Sequence, residues 1–243
     1  MADLVYSSVM RDIKQKILKN QYEGMRLPDE RSLSETYGVS RSSIKRALGI
    51  LAQQGIIFKK RGSGTFINPL YLKNQSLFHY EGSNLGVTDS FQVAGKKQRI
   101  QLLNYQVIPA SEDIQEELFL NDNDFVYQIK RLRLIDDQPF MIETGFIPIK
   151  IVPTLSLAIV NSSIFNYLED SMGKRVTKSF TTISVAPSTV DDQKLLKLKP
   201  TEPVSIMDGV FFLDDGTPFE VSSMRIHYQY MRYSTFINLD QEG

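Results

Sequence analysis

Residues 27–67, LPDERSLSETYGVSRSSIKRALGILAQQGIIFKKRGSGTFI, decide how the chain is read. Asp29 follows Leu27-Pro28 where an N-cap belongs, since a short carboxylate there accepts from backbone donors that the first helical turn leaves unpaired. The spacing predicts a helix over 30–37, closed by Gly38 in the left-handed conformation. Ser40 opens the next helix in the same way. Ile44, Leu48 and Leu51 fall at i, i+4 and i+7 on its inner face, while Arg41 with Lys45, and Ser42 with Arg46, project outward one turn apart. Gly55 ends this helix, and IIFKKRGSGTFI reads as strand, Gly-containing turn, strand. Ile56, Ile57 and Phe58 enter the hairpin, Phe66 and Ile67 leave it, and Lys59-Lys60-Arg61 sit at its tip beside Gly62-Ser63-Gly64.

Toward the N-terminus, Tyr6, Val9, Ile13 and Ile17 recur at helical spacing and predict an amphipathic helix ending near Asn20. Three helices and a basic hairpin make a winged helix-turn-helix. A helix whose N-terminal face is cationic and lined with small residues fits the ~12 Å major groove, where arginine pairs bidentately with guanine. The helix-start amides and serine hydroxyls, Ser40 and Ser42 among them, suit phosphates. Glycines in the wing let backbone approach a duplex closely.

Charge supports this division of the chain. All 243 residues together carry 28 Lys+Arg and 28 Asp+Glu, a formal net charge of zero, and 42% hydrophobic residues suffice for a real core. A disordered acidic chain, a histone-like tail and a collagenous repeat are excluded. Yet residues 1–66 hold 12 basic and 6 acidic residues, against 16 and 22 in the remainder. No acid occurs between Thr36 and Tyr80, a stretch containing Arg41, Lys45, Arg46, Lys59, Lys60, Arg61 and Lys73. A basic lobe joined to an acidic one suits a polyanion-binding module attached to a different domain, or a lobe with one solvated basic face. With no cysteine, and with only His79 and His227 as imidazoles, disulfide frameworks, zinc ribbons, Cys nucleophiles and His-rich metal sites are excluded, and no cofactor is expected. No apolar run approaches a membrane span and no signal peptide is visible, so the expected location is cytoplasmic.

The quoted stretch is similar to the DNA-binding domain of the GntR family of bacterial transcriptional regulators, over about residues 5–67. The resemblance implies base or phosphate contacts from Arg31, Arg41, Ser43, Lys45 and Arg61 to Gly64. Asp29 stands where the family has Ser, an equally good cap, and Lys45 where it has Arg, a point donor in place of a planar fork.

Residues 69–97 (NPLYLKNQSLFHYEGSN spans 68–84), rich in Ser, Asn and Gly, read as a linker between a first domain, 1–68, and a second, 98–243. Strands are predicted at 100–108, 125–134, 141–147, 176–185, 204–212, 219–228 and 232–239, and helices at 111–120, 163–172 and 189–195. Asp136-Asp137-Gln138-Pro139 and Asp214-Asp215-Gly216-Thr217-Pro218 read as hairpin turns, and the flanking segments echo each other weakly. The fold class is α+β on an antiparallel sheet. From about Gln98 to Leu239 the chain resembles the UTRA effector-binding domain of the HutC subfamily, with a chorismate-lyase-like fold, most recognisably at Arg131, Arg133, Pro139 and Glu143.

Arg131 and Arg133, two apart on a strand, share a face and suit a clamp on phosphate or carboxylate. Glu143 and Glu220 can accept from sugar hydroxyls or an amine. The competing reading is an internal Arg–Glu ion-pair lattice. The resemblance adds Ser163 and Phe165 at a helix start, and Ser90 with Phe91 in a loop, as effector contacts; Phe165 replaces the usual Tyr and lacks its hydroxyl. Tyr228, within RIHYQYMRYSTF, fits either sugar stacking or one aromatic face in the core. The implied protein is a homodimeric, ligand-responsive regulator, usually a repressor, binding an inverted-repeat double-stranded DNA operator and released by a small anionic effector such as a phosphorylated sugar. A constitutive or architectural DNA binder whose second domain only dimerises is the alternative. An enzyme is not expected, because no Ser/His/Asp set, metal cluster or Gly-rich phosphate loop is visible.

Overall fold

The computed structural model describes residues 2–73 and 98–233, which fall into two compact units. In the first, α1 (Ala2–Leu18), α2 (Glu30–Tyr37) and α3 (Arg41–Gln53) enclose one core that includes Val9, Ile13, Ile17, Leu33, Ile44, Leu48 and Leu51. The caps are those the residue types dictate. Asp29 accepts from the Ser32 amide at 2.8 Å, Gly38 turns left-handed at φ 63°, Ser40 accepts from the Ser43 amide, and Gly55 leaves α3 at φ 68°.

Strands β1 (Ile57–Lys60) and β2 (Gly64–Ile67) form the wing in the register Ile57↔Ile67, Phe58↔Phe66, Lys60↔Gly64. An isolated antiparallel bridge, absent from the sequence reading, extends this two-stranded sheet: Arg26 bridges Phe66, and the Leu27 amide donates to the Thr65 carbonyl at 2.9 Å. The chain does not leave this core at Asn68. A short helix, α4 (Pro69–Lys73), follows, and Tyr71 and Leu72 pack on the same core, so the first part of the expected linker is folded. The rest of that linker, with His79, Ser90 and Phe91, lies outside the described residues.

The second unit is a six-stranded antiparallel sheet in the order β3-β4-β5-β8-β7-β6. Its strands are β3 (Gln98–Pro109), β4 (Phe125–Ile135), β5 (Gln138–Pro148), β6 (Val176–Pro187), β7 (Pro203–Leu213) and β8 (Pro218–His227). Both Asp-Asp segments are hairpin turns, with Asp136 and Asp137 at φ 50° and 61° between β4 and β5, and Gly216 at φ 90° between β7 and β8. One face packs against α6 (Leu157–Val160) and α7 (Ile164–Met172) through Ile129, Met141, Phe219, Ile164, Phe165 and Leu168. The other carries α5 (Glu112–Leu118) over Val126 and α8 (Val190–Leu196) beside Leu132, Leu134 and Ile142. Two expectations are corrected. Strand β8 ends at His227, and 228–230 form a single 3-10 turn. Arg232 and Tyr233 belong to no strand, and 234–239 lie outside the described residues.

Candidate functional site

The solvent side of the first unit sorts its cations by what holds them. Arg31 is paired with Glu35 at 3.0 Å, Lys59 with Glu30 at 2.9 Å, and the Arg46 guanidinium lies 4.1 Å over the Tyr6 ring. Arg41, Lys45, Lys60 and Arg61 are exposed and carry no salt bridge among the described residues. At the start of α3 the Ser40 hydroxyl lies 2.8 Å from Ser42 Oγ and 2.9 Å from Ser43 Oγ. Three hydroxyls and the free amides of a 13-residue helix therefore converge at one end, beside Arg41. Gly62 and Gly64 at the wing tip take φ 73° and 113°, a left-handed region that side chains rarely tolerate, and Ser63 lies between them.

In the second unit, alternation brings the strand residues of β4, β5 and β8 onto the face under α7. An enclosed cavity there is lined by Arg131, Arg133, Glu143, Ser163, Phe165 and Glu220, with Ile164, Phe211, Ser222 and Met224. The internal Arg–Glu lattice is present. Glu143 Oε2 accepts from Arg131 Nη2 at 3.0 Å and Arg133 Nε at 2.7 Å, so the ion pairs form inside the protein, with all three residues only 4% exposed. Arg131 Nη1 also donates to the carbonyls of Val160 at 3.0 Å and Ser162 at 3.3 Å, tying the start of α7 to the sheet. Yet Arg131 Nε and Ser222 Oγ are buried with no hydrogen-bond partner among the described residues. Ser163 caps α7 by accepting from the Asn166 amide, and Phe165 sits edge-on to Phe211 and Phe219. The free volume is about 10 Å³, room for no more than about one water molecule.

The two carboxyls have opposite electrostatics. Burial would raise Glu143, but Arg131 and then Arg133 hold it well below the usual carboxylate range. Glu220 is 3% exposed and pairs with neither arginine; burial first, and the Glu143 carboxylate second, push it up to about 8. Gly145 leaves room for its present position: a Cβ there would lie 2.3 Å from Glu220 Oε1, and the carboxyl end would have to move. At neutral pH the cavity thus holds two guanidinium charges against one carboxylate.

A pH test follows. Between the ordinary carboxylate value of 4.5 and about 8, the folded state keeps a proton that the unfolded state loses. Glu220 therefore makes stability fall as pH rises through that window, by at most about 1.4 kcal/mol per unit. Glu220→Gln should remove this slope, so the variant gains on the wild type from pH 5 to 8 in urea titrations; parallel profiles would mean an ionised Glu220.

Tyr228 is not brought to the cavity. It packs with Leu132 and Leu134, whose side chains alternate with those of Arg131 and Arg133 and leave the opposite face, and its hydroxyl donates to Glu202 Oε1 at 3.1 Å. Sequence reasoning missed Ser222, although two residues beyond Glu220 on a strand is the same face.

Comparison with known proteins matches two stretches of the chain to two known domains. Residues 5–67 match "Bacterial regulatory proteins, gntR family" and residues 93–232 match the UTRA domain. The chain is 28% identical to the HTH-type transcriptional regulator GmuR of Bacillus subtilis, over 90% of this chain and 92% of that protein. It is 28% identical to the HTH-type transcriptional regulator TreR of the same organism, over 95% and 96%. The solved effector-binding domain of that trehalose repressor superposes with a TM-score of 0.52 at 25% identity, covering 59% of this chain and all but 1% of that one. The crystal structure of the possible transcriptional regulator YydK from B. subtilis shares the fold, with a TM-score of 0.78 at 24% identity over 96% and 99% of the two chains.

Proposed function

The chain belongs to the GntR family of bacterial regulatory proteins, in the branch that carries a UTRA domain, and from that premise we propose a homodimeric repressor released from an inverted-repeat operator by a small anionic effector. The cavity beneath α7 carries the effector part of this reading, and with a free volume of about 10 Å³ it must widen, by movement of α7 or of the side chains that line it, to admit one. Two buried guanidinium groups face one ionised carboxylate, and Arg131 Nε and Ser222 Oγ are left unpaired inside it. An unspent buried donor costs about 1–3 kcal/mol, which an incoming phosphate or carboxylate would recover. The neighbouring Glu220, and Ser163 at the start of α7, suit sugar hydroxyls, and one relative is a trehalose repressor.

On the DNA side, α3 enters the major groove with Arg41 and Lys45 toward base edges while the Ser40–Ser43 hydroxyls and the wing tip, Arg61 to Gly64, hold phosphates. Arg31 and Arg46 join once their present partners yield, since an exposed ion pair and an exposed cation–π contact each hold by about 1 kcal/mol or less. Dimerisation is supported by β6, an edge strand exposed without interruption from Lys178 to Val185, with Phe180 at 72% and Val185 at 69%. A second copy paired along that edge would cover it and supply the two-fold that an inverted repeat mirrors. The protein acts where the chromosome is, in the cytoplasm; among the described residues no helix is long and apolar enough to cross a membrane.

The test is a panel of hexose phosphates, amino-sugar phosphates and sugar acids beside their uncharged parents. An anionic sugar should stabilise the second unit by about 2.7 kcal/mol at a hundredfold excess over its Kd and lower the affinity of the full chain for its operator. A better response to the uncharged parents would overturn the anionic reading, and no response from any ligand would favour a constitutive binder whose second unit only dimerises. Turnover of a bound ligand, seen by NMR, would indicate an enzyme instead.

A further inference from the structure

A single antiparallel bridge joins Arg26 to Phe66 of the wing, and it delivers a cation that the helix-turn-helix pattern does not contain. Antiparallel partners share a face, so Arg26, opposite Phe66, lies on the same side as Phe58, opposite Phe66 from the other strand, and as Lys60 and Gly64. The reverse side is spent: Ile57 and Ile67 are buried in the core and Lys59 is paired with Glu30. On the outer side the Phe58 and Phe66 rings stack at 5.8 Å, and the Arg26 guanidinium lies 5.8 Å from the Phe66 centroid.

That guanidinium is directed toward the wing tip. A Cβ placed on Gly64 would lie 3.0 Å from both Nε and Nη2 of Arg26, so the side chain fills the space that a residue other than glycine would take. Arg26 is exposed and makes no salt bridge among the described residues, unlike Arg31 and Lys59 nearby. Its stem is held against an aromatic ring while its charge stays unspent, which lowers the ordering cost of an encounter with a polyanion.

We propose that Arg26 is a DNA-contacting residue of the wing, pairing with a backbone phosphate beside the one that Gly62–Gly64 approach. Its planar fork can hold two phosphate oxygens at once, and a phosphate contact adds affinity without reading sequence. This rests on the DNA-binding role of the first unit.

The experiment uses the full chain and a labelled duplex recovered by selection from a random-sequence library with the wild type, beside a scrambled duplex, with Kd measured from 50 to 200 mM salt. Arg26→Ala and Arg26→Gln should each lower the salt slope by about 0.9 and weaken binding to both duplexes by the same factor, while Arg26→Lys keeps the slope. Arg26→Gln retains a polar planar end against Phe66 and guards against a wing that merely collapses. Weaker binding at an unchanged slope would show that Arg26 only shapes the wing and would overturn the proposal, as would unchanged binding. Arg41→Ala separates the two claims: if it weakens selected-operator binding while the Arg26 variants do not, only this proposal fails, and if neither does, the assignment of the DNA-binding face fails with it.

Discussion

Glu143→Ala should cost the second unit about 3–5 kcal/mol, because it removes the one carboxylate oxygen that accepts from both the Arg131 and Arg133 guanidinium groups while these stay buried side by side. Two like charges in one enclosed space repel each other and cannot rehydrate through a cavity of about 10 Å³. Urea unfolding at pH 7, followed by far-UV circular dichroism, reads the loss directly. Glu220 offers the one route to a smaller effect. With the Glu143 carboxylate gone, the repulsion holding a proton on Glu220 goes too, and its carboxylate can take over the pairing. A Glu143→Ala loss under about 1 kcal/mol that returns to full size in the Glu143→Ala/Glu220→Gln double variant would demonstrate that exchange; a small loss in both would mean the ion pairs contribute nothing to stability.

Asp192→Ala should be nearly as damaging, at about 3 kcal/mol, through a different set of bonds. Asp192 is fully buried, accepts from Arg225 Nε and Nη2 at 2.7 Å each, and closes the capping box of α8 by accepting from the Thr189 amide and hydroxyl. One carboxylate therefore both starts α8 and fastens it to β8. Arg225 is about a third exposed and can regain water, which keeps the cost at the lower end of the range for broken buried pairs. Asp192→Asn preserves an acceptor for the cap and should lose less. A deficit of only about 1 kcal/mol for Asp192→Ala, the size of a cap alone, would show that the Arg225 bonds add nothing.

The ease with which each part is read from sequence follows the range of the forces that set it. The caps at Asp29 and Ser40, the left-handed Gly38 and the two Asp-Asp turns depend on neighbours within a few residues, so residue type is enough. The Arg26–Phe66 bridge escapes because a single residue shows no period between a 3-10 turn and α2. Helix α6 has four residues, a single turn, which is too short for a pattern. In the cavity, alternation groups Arg131, Arg133 and Glu143 correctly, yet whether the guanidinium groups face a ligand or a carboxylate depends on where side chains settle in three dimensions. Between its two readings Tyr228 takes the one with its ring against the core, and sequence leaves that choice open because the sheet ends one residue before it, so alternation no longer sets its side.

The order of strands has a consequence for sensing. Strands β3, β4 and β5 are contiguous in sequence, as are β6, β7 and β8, and the two triplets meet only where β5 pairs with β8. Arg131, Arg133 and Glu143 come from one triplet and Glu220 and Ser222 from the other. The cavity therefore does not exist in either half. It is created by a long-range closure that brings together residues about 80 positions apart, the slowest kind of contact to form. The proposed effector, bound there, would tie the halves together, so its occupancy would report that the closure is complete, and a substitution that loosens the β5–β8 seam would blunt the response while each half kept its strands.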